Sequence, residues 1–292
     1  MKGIILAGGK GTRLSPSTDF ISKQLLPIFD KPMIYYPLSS LMLANIREIL
    51  IISTERDLPM FKHLLGNGER FGISLSYKVQ NEPKGIPQAL TLAEDFLQGS
   101  NIALILGDNI FYGHNFTDFL NEAKNLVDGA HVISYPVKDP KRFGVIELDK
   151  KGNVLSVEEK PKNPKSNLAV TGLYFYENRA VQLAKSLNPS ERGELEISDL
   201  NALYLEENNL RCTNLGRGFA WLDTGTNEAL LSASRFVETI EERQGFKIAC
   251  LEEIALQNDW VNTDLLEEFI QDKLNSNYYK YIKDLLNDRK KN

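Results

Sequence analysis

Lys2 to Gln24, KGIILAGGKGTRLSPSTDFISKQ, restricts the possible folds more than any other stretch of the chain. Gly3-Ile4-Ile5-Leu6-Ala7 is a short apolar run with a lysine before it and glycines after it. That is the pattern of a strand buried on both faces in the middle of a parallel sheet. Gly8, Gly9 and Gly11 end the strand abruptly and remove β-carbons where the backbone must turn, which lets successive N–H groups approach an anion. Thr12, Arg13 and Lys23 follow. A glycine cradle, a hydroxyl, a guanidinium fork and an ammonium beside one strand end suit a polyphosphate better than a single carboxylate. Two better-known phosphate loops are excluded. Walker A needs Lys-Ser or Lys-Thr after its last glycine, where this chain has Thr12-Arg13 after Gly11. The dinucleotide fingerprint needs a third glycine where Leu14 stands. The glycines alone fit a plain tight turn equally well; Arg13 and Lys23 tilt the reading to a nucleoside triphosphate.

The rest of the first half alternates. Met33 to Ile46 is apolar at helical intervals, Glu48 to Ser53 is a buried strand, Asp57 to Leu65 a helix, Ser74 to Val79 a strand, Pro87 to Phe96 a helix and Ile102 to Leu106 a buried strand. Such alternation means a Rossmann-like α/β fold, a mostly parallel sheet with helices on both faces, whose ligands sit at the carboxyl ends of the strands. Gly8, Gln80 and Asp108 each lie just past a strand, so one crevice can hold all three. From Ala130 strands crowd together: Val132 to Val137, Gly144 to Leu148, Val154 to Glu159 and Leu168 to Tyr176 read as hairpins and mixed-sheet additions. Ser198 is expected to cap a helix to Glu207, Cys212 to Leu215 and Phe219 to Leu222 to be short strands, and Thr226 to cap a long helix with a stripe of Ala229, Leu230, Ala233, Phe236, Val237 and Ile240. Beyond Glu252 the chain reads as helical, with Leu265, Leu266, Phe269, Ile282, Leu285 and Leu286 inward. The expected division is a catalytic domain over 1–245, with a nucleotide half of about 1–130 and a sugar-side half of about 131–245, and a helical extension over 246–292.

Composition narrows the partners. A net charge of -5, from 34 basic and 39 acidic residues in 292, leaves no basic surplus for a nucleic-acid backbone. Cys212 and Cys250 lack metal or disulfide spacing and read as two buried free thiols. The N-terminus enters a strand at once, and no apolar run approaches the ~20 residues of a membrane helix. The expectation is a cytoplasmic protein without membrane contact.

Two acids stand out. Asp108, in LILGDN, directly follows a buried strand, where a carboxylate is costly unless it faces the crevice or a cation. Asp223 follows Ala220-Trp221-Leu222 and precedes Thr224-Gly225-Thr226. Each alone could be a turn or capping residue, but two aspartates at strand ends can share one Mg²⁺, which takes one or two carboxylates plus waters and substrate phosphates. As exposed crevice acids they are expected to be replaceable by asparagine with the metal-free melting temperature unchanged or raised. Strand alternation in Val157-Glu158-Glu159-Lys160 sends only one of the two glutamates to the crevice. His63 and His131 read as structural, and His114 is left open.

GGKGTRL, SKQLLPIFDKPMIYYPLSSLMLA, LGDN, EEKP and WLDTGT stand in the order and spacing of the sugar-1-phosphate nucleotidylyltransferases, and the chain resembles that family over nearly its whole length. SKQLLP with YYPLS, VTGLYFY and RGELEI is closest to the branch that moves a thymidylyl group from dTTP to glucose 1-phosphate. The resemblance implies an Mg²⁺ enzyme making dTDP-glucose and pyrophosphate towards dTDP-rhamnose and related deoxysugars. It implies nucleotide contacts from Leu6, Ala7, Gly8, Gly9, Gly11, Thr12, Gln24, Gln80, Pro83 and Gly85, and metal binding by Asp108 and Asp223. Glu159 and Asn109 would meet sugar hydroxyls, Lys160 and Arg192 the sugar phosphate, and Gly144, Val170 and Tyr174 would shape the sugar pocket. A homotetramer, with feedback by a dTDP-sugar at a second site, is also implied.

The mechanism so suggested is direct: a sugar-phosphate oxygen, already ionised near neutral pH, attacks the α-phosphorus in line, without covalent intermediate or general base. Catalysis is then positioning and charge neutralisation by Mg²⁺, Arg13, Lys23 and Lys160, with Asp108 among the catalytic groups. Departures from the family pattern, Ser15 after Leu14, Asp19-Phe20 before Ser22-Lys23 and Pro87 beside the base loop, touch the pocket's shape and no charged site residue. The rival readings are a uridylyltransferase on the same scaffold, a non-catalytic nucleotide-sugar sensor, which would have lost Asp108, Asp223, Arg13 or Lys160, and an NAD-dependent oxidoreductase, which fails at Leu14.

Overall fold

The computed structural model of the protein describes residues 1–9, 11–125 and 128–291. β1 (Lys2–Leu6) is the apolar strand expected after the N-terminus. A short hairpin, β2 (Pro27–Ile28) and β3 (Lys31–Pro32), leads to α1 (Tyr35–Leu43), which is buried from Tyr35 to Met42. β4 (Glu48–Ser53) then pairs parallel with β1; after α2 (Leu58–Leu65), β5 (Ser74–Val79) pairs parallel with β4. The expected helix over 87–96 is two short pieces, α3 (Gln88–Leu92) and α4 (Glu94–Leu97), before β6 (Ile102–Leu106) takes the free side of β1.

β7 (Asn109–Gly113), α5 (Phe116–Lys124), β8 (Ala130–Pro136), β9 (Gly144–Leu148), β10 (Val154–Glu159) and β11 (Leu168–Tyr176) follow. β11 is the joint of the molecule. Its second half runs antiparallel to β6, its first half to β9, and both halves to β8, so the hairpins extend the parallel strands in one mixed sheet whose main path is β10-β9-β11-β6-β1-β4-β5, with β8 branching from β11. α6 (Ala180–Ser186), α7 (Ile197–Glu206), β12 (Leu210–Asn214), which is parallel to β8, and β13 (Phe219–Asp223) complete this side. The helices after it are α8 (Asn227–Gln244), α9 (Leu251–Gln257), α10 (Thr263–Ile270) and α11 (Asn277–Lys291).

Helices cover both faces because successive strand residues point opposite ways. Ile5, Ile49, Ile51 and Ile105 join one apolar cluster, with α1 and with Leu251, Ile254, Leu266, Ile270, Ile282 and Leu286 of the C-terminal helices. Ile4, Leu50, Ile52 and Leu104 join the other, with α3, α6 and α7. No helix is long and apolar enough to cross a membrane among the described residues.

Several expectations change. Ser198 does not cap α7; it lies inside the first turn, and Glu196 is the flanking residue. Leu265 is 64% exposed, because the helix it sits on buries Leu266 and Ile270 instead. In α8 only Ala233 and Val237 of the expected stripe are fully buried, joined by Glu241. Cys250 is buried, but Cys212 is half-buried. Thr226 does cap α8, its Oγ1 accepting from the Ala229 amide at 3.2 Å.

Glu241, an acid just past that stripe, is buried because it is paired. Its carboxylate faces Lys31 at 2.9 Å and Lys247 at 2.6 Å and accepts from the Ile248 amide, while Asp30 meets the same two lysines at 2.5 Å each. This quartet, buried at Lys31 and Glu241 and half-buried at Asp30 and Lys247, ties the β2–β3 hairpin to both ends of the turn after α8. Removing one member leaves unpaired charge in a dry site, the costly half of a buried ion pair. Glu241→Ala is therefore expected to destabilise the protein by about 3 kcal/mol and to lower Tm by roughly 6–10 °C. An unchanged melting curve would show that the quartet carries no net stability.

Candidate active site

β1, β4 and β6 end at one level. Leu6 is in register with both Ile52 and Leu106, and the Gly107 amide donates to the Leu6 carbonyl at 2.9 Å. The glycine loop and Asp108 thus leave the sheet side by side, at the mouth of a cavity of about 340 Å³. The residues singled out from sequence that line it come from two sides of the sheet: Leu6, Gly8, Gly9, Arg13, Gln80, Pro83, Gly85 and Asp108 with β1, β5 and β6, and Gly144, Glu159, Lys160, Val170 and Tyr174 with β9, β10 and β11, while Asn109, Arg192 and Asp223 line it as well. Ala7, Gly11, Thr12, Lys23 and Gln24 stand outside the lining. Ala7 and Gln24 are buried, Ala7 in the apolar cluster under the sheet and Gln24 accepting from Ser22.

β7, a strand with no marked pattern in the sequence, accounts for the two aspartates. It pairs antiparallel with β13 so that Asp223 stands opposite Asn109, the neighbour of Asp108. The Thr224 amide and hydroxyl both donate to the Asp108 carbonyl, at 3.3 and 2.9 Å. Asn109 is buried and braces its neighbour: its Nδ2 donates to Asp108 Oδ1 at 3.0 Å, while its Oδ1 accepts from the Gly172 amide and from Trp221 Nε1. The other Asp108 oxygen is ion-paired with Lys23.

These contacts set opposite electrostatics for the pair. Burial alone raises the Asp108 pKa, but the charge and hydrogen bond of Lys23 more than reverse it, leaving the carboxyl below its ordinary value. Asp223 is raised, first by burial and then by the charge of Asp108, with Lys23, Arg13 and Arg142 opposing. A β-carbon on Gly225 would stand 2.8 Å from Arg13 Nη2 and 3.1 Å from Asp223 Oδ1, so the guanidinium keeps its present place only because that carbon is missing. The Arg13 guanidinium lies across the glycine. Two carboxylates on one cavity match the donor set that Mg²⁺ uses with waters and substrate phosphates. Among the described residues no group of three or more His, Cys, Asp or Glu could hold a metal without such help.

On the opposite wall Glu159 ends β10 pointing into the cavity, whereas Glu158 points away to Lys165 at 2.8 Å, as strand alternation requires. Glu159 Oε2 accepts from Ser198 at 2.6 Å, and Glu159 Oε1 faces Lys160 at 3.3 Å and Arg192 at 3.5 Å. Lys160 has φ 42, a left-handed backbone rare for a residue with a side chain, and its amide donates to the Phe143 carbonyl at 3.1 Å. Arg192 is held by Glu196 at 2.6 Å. Ser198, Trp221 and Arg142 were missed from sequence. RGELEIS and WLDTGT contain the first two, but their contacts depend on pairings that no local spacing reveals. His131 is structural, buried against Thr213 and pushed down to about 4, while His63 and His114 are exposed.

The contrast between the aspartates divides the stability expectation. Asp108, with its lowered pKa, adds stability at neutral pH that is lost as pH falls below the ordinary carboxylate range; ionised Asp223, with its raised pKa, carries a cost that disappears as pH falls through that pKa. Asp108→Asn breaks the Lys23 ion pair and is expected to lower the metal-free Tm at pH 7, while Asp223→Asn raises it and loses that advantage in acid. Equal shifts of the same sign would refute the assignment.

The model of the family described as nucleotidyl transferase matches residues 2–240. A glucose-1-phosphate thymidylyltransferase of Neisseria meningitidis is 57% identical, with 98% of this chain and 99% of that one covered. One of Mycolicibacterium smegmatis is 50% identical over the same shares. A crystal structure from Bacillus anthracis, assigned as a glucose-1-phosphate thymidylyltransferase and complexed with a sucrose, superposes with a TM-score of 0.75 at 42% identity, covering 81% of this chain and 94% of that one. A UDP-glucose pyrophosphorylase with bound UDP-glucose, 24% identical with a TM-score of 0.71, shares the fold over 82% of this chain and 98% of its own. The chain belongs to the nucleotidyl transferase family and, within it, to the glucose-1-phosphate thymidylyltransferases.

Proposed function

We propose that the protein transfers a thymidylyl group from dTTP to glucose 1-phosphate, releasing pyrophosphate and forming dTDP-glucose on the way to dTDP-rhamnose and related sugars. The observation that carries this reading is the single cavity with a glycine loop, Arg13 and two carboxylates on one wall and Glu159, Lys160 and Arg192 on the other. A nucleoside triphosphate on the first wall and a sugar phosphate on the second meet between them, and holding the two reactants together supplies much of the acceleration.

Each residue has a task in that scheme. Backbone N–H groups of Gly8 and Gly9 face the phosphates, and Arg13 stabilises the charge that develops on leaving pyrophosphate. Lys160 and Arg192 hold the sugar phosphate so that its ionised oxygen points at the α-phosphorus. Glu159, with one oxygen fixed by Ser198, accepts from sugar hydroxyls over the floor of Gly144, Val170 and Tyr174. Asn109 and Lys23 keep Asp108 ionised and aimed. Asp108 and Asp223 would hold Mg²⁺, which when bound neutralises charge on the reacting phosphates. Gln80, Pro83 and Gly85 would form the base loop. A cytoplasmic homotetramer subject to feedback by a dTDP-sugar at a second site completes the proposal.

Pyrophosphate release across a matrix of nucleoside triphosphates and sugar 1-phosphates tests the reading. The expected fastest pair is dTTP with glucose 1-phosphate, with UTP weaker because the two bases share a hydrogen-bonding edge. In the same assay Lys160→Ala should raise KM for glucose 1-phosphate tenfold or more, on the order of one lost charge-assisted contact, and leave that for dTTP nearly unchanged. A preference for UTP, or equal effects of Lys160→Ala on both substrates, would overturn the assignment.

A further inference from the structure

Gln80 is 4% exposed and lines the cavity above the glycine loop, where its Oε1 would stand 2.3 Å from any β-carbon placed on Gly8. Its Nε2 donates to Gln88 Oε1 at 2.8 Å, and that same Gln88 oxygen accepts from the Lys84 backbone amide at 2.9 Å. The chemistry of the second contact decides the polarity of the first. A backbone N–H only donates, so the Gln88 atom it meets must be the carbonyl oxygen. An oxygen in that place only accepts, so the Gln80 atom facing it must be the amino group. Gln88 sits at the start of α3, and Lys84 is fixed in turn by its carbonyl, which accepts from the Leu195 amide at 2.8 Å. The polarity of the Gln80 amide is therefore locked from the backbone outward.

We infer that Gln88 is a positioning residue that sets base specificity by preventing the Gln80 amide from turning over. The inference rests on the reading that Gln80 faces the base. In the locked orientation the site presents one acceptor, Oε1, and the one Nε2 hydrogen that Gln88 does not take. This matches the edge of thymine or uracil, an N3–H donor flanked by carbonyl acceptors. Cytosine presents the reverse, an N3 acceptor beside an amino donor, and would need the amide inverted. Inversion sets the Gln80 carbonyl against the Gln88 carbonyl in a mostly buried place, where two acceptors without a hydrogen between them are penalised. The lock thus rejects cytosine and leaves thymine and uracil equivalent, so it acts on a discrimination separate from the thymine methyl.

The test is the ratio of kcat/KM for dTTP to that for dCTP, with glucose 1-phosphate as acceptor, in the wild type, Gln88→Met and Gln88→Glu. Gln88→Met keeps the length and loses the acceptor; the ratio should fall about tenfold or more, through KM for the nucleotide, with KM for glucose 1-phosphate unmoved. Gln88→Glu keeps an oxygen for both donors and should hold the ratio within about threefold of wild type. An unchanged ratio in Gln88→Met, or equal losses with every nucleotide, would overturn the inference and reduce Gln88 to a structural residue. If Gln88→Met does not fold, Gln88→Glu decides alone, a collapsed ratio overturning the lock and a retained one supporting it. A wild type that does not use dTTP at all would instead overturn the proposed function beneath it, so the two failures are told apart in one assay.

Discussion

The parallel pairing of β1 with β6, in register from Lys2 and Ile102 to Leu6 and Leu106, is the constraint on which the rest of the site depends. It delivers a glycine loop and an aspartate, Gly8 and Asp108, to one place from positions 100 residues apart. The sheet also imposes a cost. Asp108 emerges where its side chain is only 13% exposed, and a carboxylate so placed must find a cation or give up its charge. Lys23, on the segment that returns from the glycine loop, meets that need. The same pairing that builds the phosphate loop therefore fixes why a lysine must follow it.

β11 extends this logic to the other half. By pairing with β6 over its second half and with β9 over its first, it carries the geometry of the parallel strands into the hairpin that ends in Glu159 and Lys160. The left-handed backbone at Lys160 is a local expense in that hairpin, and the hydrogen bond its amide donates to the Phe143 carbonyl helps hold it. Leu195, three residues from Arg192, bridges Gly85 of the loop beside Gln80. The two walls of the cavity are thus joined by backbone as well as by the sheet.

Much of this was legible in the sequence because buried parallel strands announce themselves as apolar runs ended by glycine, and charged residues just beyond them have few reasons to be there. Strand alternation correctly separated Glu159 from Glu158. What stayed hidden depended on partners far away in the chain. β7 reads as an unremarkable NIFYG until β13 is laid against it, and only then do Asn109 and Trp221 become braces for Asp108. Ser198 looked like a helix cap because serine before a helix usually is one; its hydroxyl is spent on Glu159 instead. Glu241 carries no signal of burial in the sequence, because Lys31 and Lys247, which pair with it, lie outside its helix. Leu265 was placed inward by periodicity alone, which fixes a helix's stripe only to within a residue or so of its edge.

Two reactants held on opposite sides of one cavity can react directly, without passing the thymidylyl group through the enzyme. The configuration at phosphorus tests it. With dTTP carrying a single sulfur of known configuration on its α-phosphorus, one in-line displacement by glucose 1-phosphate predicts a product of inverted configuration. Net retention would mean two displacements through a group on the enzyme, and would contradict a site whose residues only position and neutralise.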